Sequence, residues 1–246
     1  MNLFGIFLAW GFIIAGMMIE GSHPSALFDI PAFLIVLGSS IGIAFVQFPP
    51  KVVIETVKRL GWLIAPPRMD VITQAELLES MLTVARQQGL LALENQLASI
   101  EDDFTKNGVQ MIVDGVDKDL LKELLEAVIE KEQHELEQPA KVVESLGGYA
   151  PCMGIIGAVL GLIHAMGLLD QPDLLGPAIA VAFVATIYGV GAANIILLPA
   201  GARFKSINDD IATFKYMTVE GLVSIANGEN SMQLKRRLSV YTGLAV

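Results

Sequence analysis

The sequence predicts an all-α protein: a four-span transmembrane helical protein with a helical cytoplasmic domain between spans two and three. Three observations predict it. Four long stretches contain no Asp, Glu, Lys or Arg. All 16 basic residues lie outside them, within 51–141 and 203–237. Between those stretches the apolar residues recur at three- and four-residue spacing, with no strand-like alternation and no internal repeat.

The spans follow from length. A bilayer core of about 30 Å needs roughly 17–25 apolar residues of helix. Residues 3–19, 31–48, 149–169 and 177–198 meet that requirement, the first at the short end. Pro49-Pro50 close the second and Pro199 follows the fourth. The loops set the orientation. Residues 20–30 and 167–176 carry no Lys or Arg, so the positive-inside rule places the basic segments, and with them both termini, in the cytoplasm. The expected division is 1–48 for spans one and two, 49–148 for a cytoplasmic helical domain, 149–199 for spans three and four, and 200–246 for a cytoplasmic helix and tail. The apolar N-terminus has no basic residue ahead of it and no convincing small-x-small cleavage site, and is expected to remain as an anchor.

The insert reads as helical. Thr73 with Glu76 forms a capping box, and Gly89 can close the helix that follows. A second helix is expected to end near Asn107-Gly108. Asp117 then caps a long amphipathic helix, kinked at Pro139, that runs on toward span three. Residues 201–226 form a further amphipathic helix below span four.

Composition excludes several classes of function. The net charge of −10 and the lack of basic clusters interleaved with aromatics argue against nucleic acid. The compact basic run Lys235-Arg236-Arg237 is expected near lipid headgroups. Cys152, the one cysteine, is expected to be a small buried filler, and His23, His134 and His164 show no ligand spacing, so no metal is assigned. No Ser-His-Asp pattern, phosphate-binding glycine loop or HExxH is present, so the chain is not expected to be an enzyme.

Chemistry must then be sought inside the membrane. In span three Gly154, Gly157 and Gly161 make a smooth strip where another helix can approach. In span four Ala182, Ala185, Gly189 and Ala193 lie along one flank, with Thr186 on the same general side and Asn194 two turns on. A Thr there either bonds back to its own helix carbonyl or lines an ion path. An ion path needs a place for a cation or proton to rest, usually a carboxylate. These spans hold none, so either no ion moves or a partner helix brings the acid. His164, near the outer end of span three, reads as an interfacial residue.

Four motifs carry a resemblance over nearly the whole chain: LIVLGSS in span two, ARQQGLLALE in the insert, YAPCMGIIGAVLGLI in span three and GPAIAVAFVATIYGVGAANIILLP in span four. In their order and spacing they resemble the MotA family of bacterial flagellar stator proteins, with its MotC and sodium-type PomA branches, relatives of the TolQ and ExbB proton-channel proteins. The resemblance implies an inner-membrane ring, thought to be a homopentamer, around two copies of a MotB-like single-span subunit whose essential Asp supplies the missing acid. It implies torque on a FliG-like rotor protein through Arg86 and Glu94, and conformational coupling at Pro151 and Pro199. No cofactor is implied beyond the transported ion. Sodium-type relatives carry a Thr where this chain has Ala158. Thr186 is retained. A sodium ion wants several oxygen ligands and a proton only a titratable group, so the expected ion is H+ rather than Na+. Further departures are Ser39-Ser40, Gln87 and Asn230-Ser231. Two other readings remain: a TolQ- or ExbB-like motor that energises outer-membrane processes, and a passive membrane scaffold.

Overall fold

A computed structural model describes residues 3–21 and 23–243, and every regular element among them is helical. It divides into two compact units, Met1–Pro66 with Glu137–Ser206, and Pro67–Leu136 with Ile207–Val246. Two helices, α6 (Lys118–Met166) and α7 (Pro172–Ala226), contribute residues to both.

The first unit begins with α1 (Leu3–Ile19). Its 17 residues make a helix of about 25 Å at 1.5 Å per residue, short for a bilayer core. A 3-10 turn at Pro24–Leu27 leads to α2, residues 30–47. Asp29 caps α2 by accepting the Ala32 N–H at 2.7 Å. Pro50 then opens α3 (Pro50–Arg59), where its missing N–H costs nothing. Among the described residues, Pro24–Gln47, α6 and α7 are each long and apolar enough to cross a membrane. Their flanks expose Phe33, Ile41, Ile163 and Phe183, as does α1 with Phe7 and Phe12. So much apolar surface on one unit suits lipid and neighbouring helices, not water, and the chain is a membrane protein.

Backbone groups in lipid must be satisfied internally, and α2 shows how. Leu34–Gly38 winds as a π-turn, which disturbs the regular i→i−4 ladder. Ser40 Oγ donates to the Val36 carbonyl at 2.6 Å, and Ser39 Oγ donates to the Ile35 carbonyl. The two serine hydroxyls thus donate to carbonyls of the wound-out turn rather than facing lipid unpaired. A second link pins the start of α2 to α7. Tyr188 donates to the Leu27 carbonyl and accepts the Asp29 N–H at 3.1 Å, and its ring meets Phe33 edge-on at 6.4 Å.

Below the spans, Leu63, Ala140, Val143, Ala200 and Phe204 bury together. Lys205 pairs with Glu144 at 2.7 Å beside them. This cluster belongs to the first unit, so packing divides at 66/67, 136/137 and 206/207. The steps in hydropathy at 48, 148 and 199 mark where apolar stretches end rather than where packing does.

The second unit holds α4 (Val71–Gln88), a 3-10 segment (Leu90–Ser99), α5 (Asp103–Val113), α8 (Ser231–Thr242) and parts of α6 and α7. Leu78, Leu82, Leu93, Leu125, Met217 and Leu222 are fully buried at its centre. Gln74, Thr105, Thr218 and Ser224 are polar side chains buried among them. Gln74 Nε2 donates to Thr105 Oγ1 at 2.8 Å and to Thr218 Oγ1 at 3.0 Å, tying α4, α5 and α7 together. Each threonine hydroxyl passes its own proton on, to Asp102 and to the Phe214 carbonyl, so the buried amide donors leave neither threonine unsatisfied.

Several expectations are corrected. Asp70, not Thr73, caps α4: its Oδ1 accepts the Ile72 and Thr73 N–H groups at 3.1 Å, and Thr73 spends its hydroxyl on Asp70 Oδ2. The second helix does not end at Asn107-Gly108. Those residues lie inside α5, where a Cβ at Gly108 would collide with Leu222, so this glycine permits packing rather than a stop. Helix α6 runs unbroken through Pro139 and Pro151. Pro199 does not end span four. Helix α7 continues to Ala226, because the π-turn Ala192–Leu197 just ahead widens the helix where the proline ring would crowd a carbonyl. Cys152 is exposed on α6 rather than buried. The basic run of α8 is engaged within the protein: Lys235 with Glu79 at 3.4 Å, Arg237 with Glu220 at 2.8 Å and Glu229 at 3.0 Å. Those bonds raise the Arg237 pKa, with Glu229 the larger cause.

The Asp70 cap has a pH signature. The Thr73 backbone N–H, then its hydroxyl, hold the Asp70 carboxyl below its ordinary value. A lowered folded pKa stabilises the helix start above the unfolded pKa and loses that contribution as pH falls through the folded pKa. Hydrogen-exchange protection at Ile72 and Thr73, corrected for intrinsic rates, is expected to drop as the solution is acidified below the carboxylate range. Asp70→Asn is expected to abolish that drop.

Candidate functional site

In the first unit the backbones of α6 and α7 approach closely. A Cβ built on Gly154 would stand 3.0 Å from the Ala185 carbonyl oxygen and 3.3 Å from Gly189 Cα. On Gly157 it would stand 2.8 Å from Ala185 Cβ, and on Gly161 2.9 Å from Ala182 Cβ. From the other side, a Cβ on Gly189 would lie 2.5 Å from the Ala150 carbonyl oxygen. Gly154, Gly157, Gly161 and Gly189 therefore form one seam with Ala182 and Ala185. Inside a membrane, where lipid is as apolar as leucine, helices associate through such close van der Waals contact.

Thr186 neighbours the seam: its Cα would be 3.4 Å from a Cβ on Gly154. Its hydroxyl points back to the Ala182 carbonyl at a long 3.4 Å. It also lines a cavity of about 540 Å³ between α1 and α7, with Trp10, Ile13, Val190 and Asn194. Asn194, inside the π-turn, donates to the Val190 carbonyl at 2.9 Å. Trp10 stands over Gly191, its ring 3.3 Å from where a Cβ would be, and also lines a second cavity of about 590 Å³ with Phe33, Leu37, Tyr188 and Asp29. Ala158 is half-buried on α6, next to the seam.

The prolines sit where helix backbone loses a donor. Pro151 and Pro199 bring no backbone N–H, so each removes one donor from its helix. Gly147 packs tightly on Leu198, 2.8 Å from a would-be Cβ. Pro199 itself is exposed.

In the second unit, Arg86 occupies the last turn of α4 and Glu94 the middle of the 3-10 segment. Gly89 separates them at φ +86, a left-handed backbone that glycine alone adopts freely. Both side chains are exposed, and neither forms an ion pair among the described residues. Two features have no simple sequence signature: the Tyr188 link to the start of α2, and the two π-turns, which arise from packing rather than from a residue pattern.

The seam makes a specific prediction. Gly189→Ala pushes a methyl into the Ala150 carbonyl and should cost about 1–3 kcal/mol by overpacking. Thermal unfolding of the detergent-solubilised protein is expected to show a lower Tm. Gly42→Ala, on α2 with open space around it, should leave the Tm unchanged.

The geometry can be set against known proteins. The MotA/TolQ/ExbB proton channel family matches residues 96–216, and the motility protein A N-terminal family matches residues 3–89. Motility protein A of Helicobacter pylori is 34% identical over 240 residues, covering 98% of this chain and 93% of the relative. Motility protein A of Bacillus subtilis is 30% identical over 241 residues, covering 98% and 89%. Among solved structures, the chain is similar to one of Campylobacter jejuni MotAB, with TM-score 0.93, 30% identity, and coverage of 100% of this chain and 96% of that one. It is also similar to the flagellar MotAB stator complex from Bacillus subtilis, with TM-score 0.89, 30% identity, and coverage of 98% and 95%. Likeness at this identity over nearly the whole of both chains leaves one conclusion: the chain belongs to the motility protein A family of the MotA/TolQ/ExbB proton channel proteins.

Proposed function

We propose that this chain is the A-subunit of a flagellar stator, which forms an ion channel with a MotB-like single-span subunit and converts ion flow into torque. The observation that carries the reading is that the closely packed spans 149–169 and 177–198 hold no acid, in a chain that matches a MotAB structure over its whole length. A pair of spans without a carboxylate cannot hold a proton in transit. A partner helix that brings one Asp completes it. The TolQ- and ExbB-like alternative is less well supported, since the N-terminal match is to motility protein A.

In this reading the chain crosses the inner membrane four times with both termini in the cytoplasm, and copies of it, five in a ring, surround two partner helices. The ion is H+: Ala158 offers no oxygen, and Thr186 alone is too few ligands for a sodium ion. Thr186 lines the path. Pro151 and Pro199 are the flexing points, because each breaks one backbone hydrogen bond of a long helix at the cytoplasmic end of its span. Arg86 and Glu94, exposed and unpaired, deliver the force to a FliG-like rotor protein.

Two experiments test this. In a strain whose only stator is this chain with its partner, swimming is expected to persist when sodium is replaced by potassium and to stop with a protonophore. Strict dependence on sodium would contradict the proton assignment. In the same strain, Arg86→Glu or Glu94→Lys is expected to abolish swimming while membrane levels stay normal, since both side chains are exposed. Normal swimming by both variants would remove the rotor role.

A further inference from the structure

We infer that Leu91 is an apolar anchor in the rotor-facing surface, set between Arg86 and Glu94; this rests on the stator reading above. Leu91 is 71% exposed, whereas Leu93 two residues on is fully buried. A single exposed leucine is ordinary on a protein surface. This one is distinguished by its backbone and its neighbours.

The segment Leu90–Ser99 is a 3-10 helix of 10 residues, where runs beyond about four residues are uncommon. In a 3-10 helix residues i and i+3 eclipse, about 6 Å apart along the axis. Leu91 and Glu94 therefore share one edge, and Leu93 lies on the edge that packs into the core. The segment thus presents an apolar side chain and an acid on one edge, just past the Gly89 turn that ends the helix bearing Arg86.

Lys122, Lys215, Lys235 and Arg237 of this unit are engaged in ion pairs. Arg86 and Glu94, like Lys106 and Lys118, form no ion pair among the described residues, and both are exposed. Two unpaired charges of opposite sign, one on each side of an exposed leucine in the sequence, form a small interface pattern: an apolar centre that sheds water, with a charged rim that sets orientation. The occupant that complements it is a protein surface with an acid facing Arg86, a base facing Glu94 and an apolar recess between them. The rim charges steer the encounter. The desolvated leucine lengthens it, because affinity differences within one interface reside mostly in dissociation.

The test uses cells in which this chain and its partner form the only stator, carrying Leu91→Ser, Leu91→Met or Leu120→Ser. Leu120 is 47% exposed on α6 and serves as an off-site control. The readouts are dwell time of labelled stator units at the motor, torque per unit from a tethered bead, proton conductance and the mass of the purified ring. Leu91→Ser is expected to shorten dwell time and lower torque several-fold, with conductance and ring mass unchanged. Leu91→Met is expected to restore both, and Leu120→Ser to behave as wild type. Wild-type dwell time in Leu91→Ser, alongside loss of torque in Arg86→Glu, would overturn the anchor and leave the stator reading standing. A changed ring mass in Leu91→Ser would assign the leucine to a contact between copies of this chain and overturn it equally. Wild-type behaviour in both Leu91→Ser and Arg86→Glu would instead overturn the stator reading and the anchor with it.

Discussion

The structure depends on how closely two helix backbones can approach inside a medium that gives them no hydrophobic reason to associate. Water drives apolar faces together in a soluble bundle, but lipid does not. What remains is van der Waals contact, which is tiny per atom pair and falls away over a fraction of an ångström. Gly154, Gly157, Gly161 and Gly189 are answers to that constraint. Each removes the Cβ that would hold α6 and α7 apart. The same constraint explains the lack of charge. An acid on this seam would have to be paired or neutral at considerable cost, so a motor that needs one is better served by an acid on a separate helix.

A second constraint runs alongside, since every backbone group in lipid needs a partner. The long helices of this chain contain prolines and π-turns, and the side chains around them take up what those interruptions release. Ser39, Ser40 and Asn194 donate to carbonyls one turn back. Pro151 and Pro199 each lack the N–H that an interior helix position donates, which suits the flexing role proposed for them. The second unit solves a soluble protein's problem by a soluble protein's means. It has a fully buried core of leucine and methionine, one polar clamp at Gln74, and ion pairs around α8. Arg86 and Glu94 are exposed on it, on either side of the Gly89 turn.

Much of this was legible in the sequence, for physical reasons. Charge-free runs are legible because the cost of burying charge in lipid leaves a long, unmistakable gap. Gly89 was legible because a left-handed cap has few other solutions. Asp117 was legible because a short acid ahead of an amphipathic run satisfies free N–H groups, and it accepts the Asp119 N–H at 2.9 Å. What the sequence hid were choices between equals. Thr73-x-x-Glu76 and Asp70 are both good caps, and only packing selected Asp70. Gly108 looks like a stop and Pro199 like an end, but Leu222 and the π-turn reverse both readings. A basic run such as Lys235-Arg236-Arg237 looks like a headgroup patch until Glu79, Glu220 and Glu229 arrive from elsewhere in the chain. The exposed Leu91 is invisible for the same reason: its neighbours in LLALE are also apolar, and only packing buries Leu93 and leaves Leu91 out.

The central claim is that this chain supplies the walls of a proton path whose acid belongs to another subunit. Proton flux into liposomes, followed with an internal pH dye, tests it directly. The chain alone should conduct nothing, its complex with the single-span partner should conduct, and the complex with the partner's intramembrane Asp replaced by Asn should conduct nothing. Flux through the chain alone, or flux that survives loss of the partner's acid, would contradict the account.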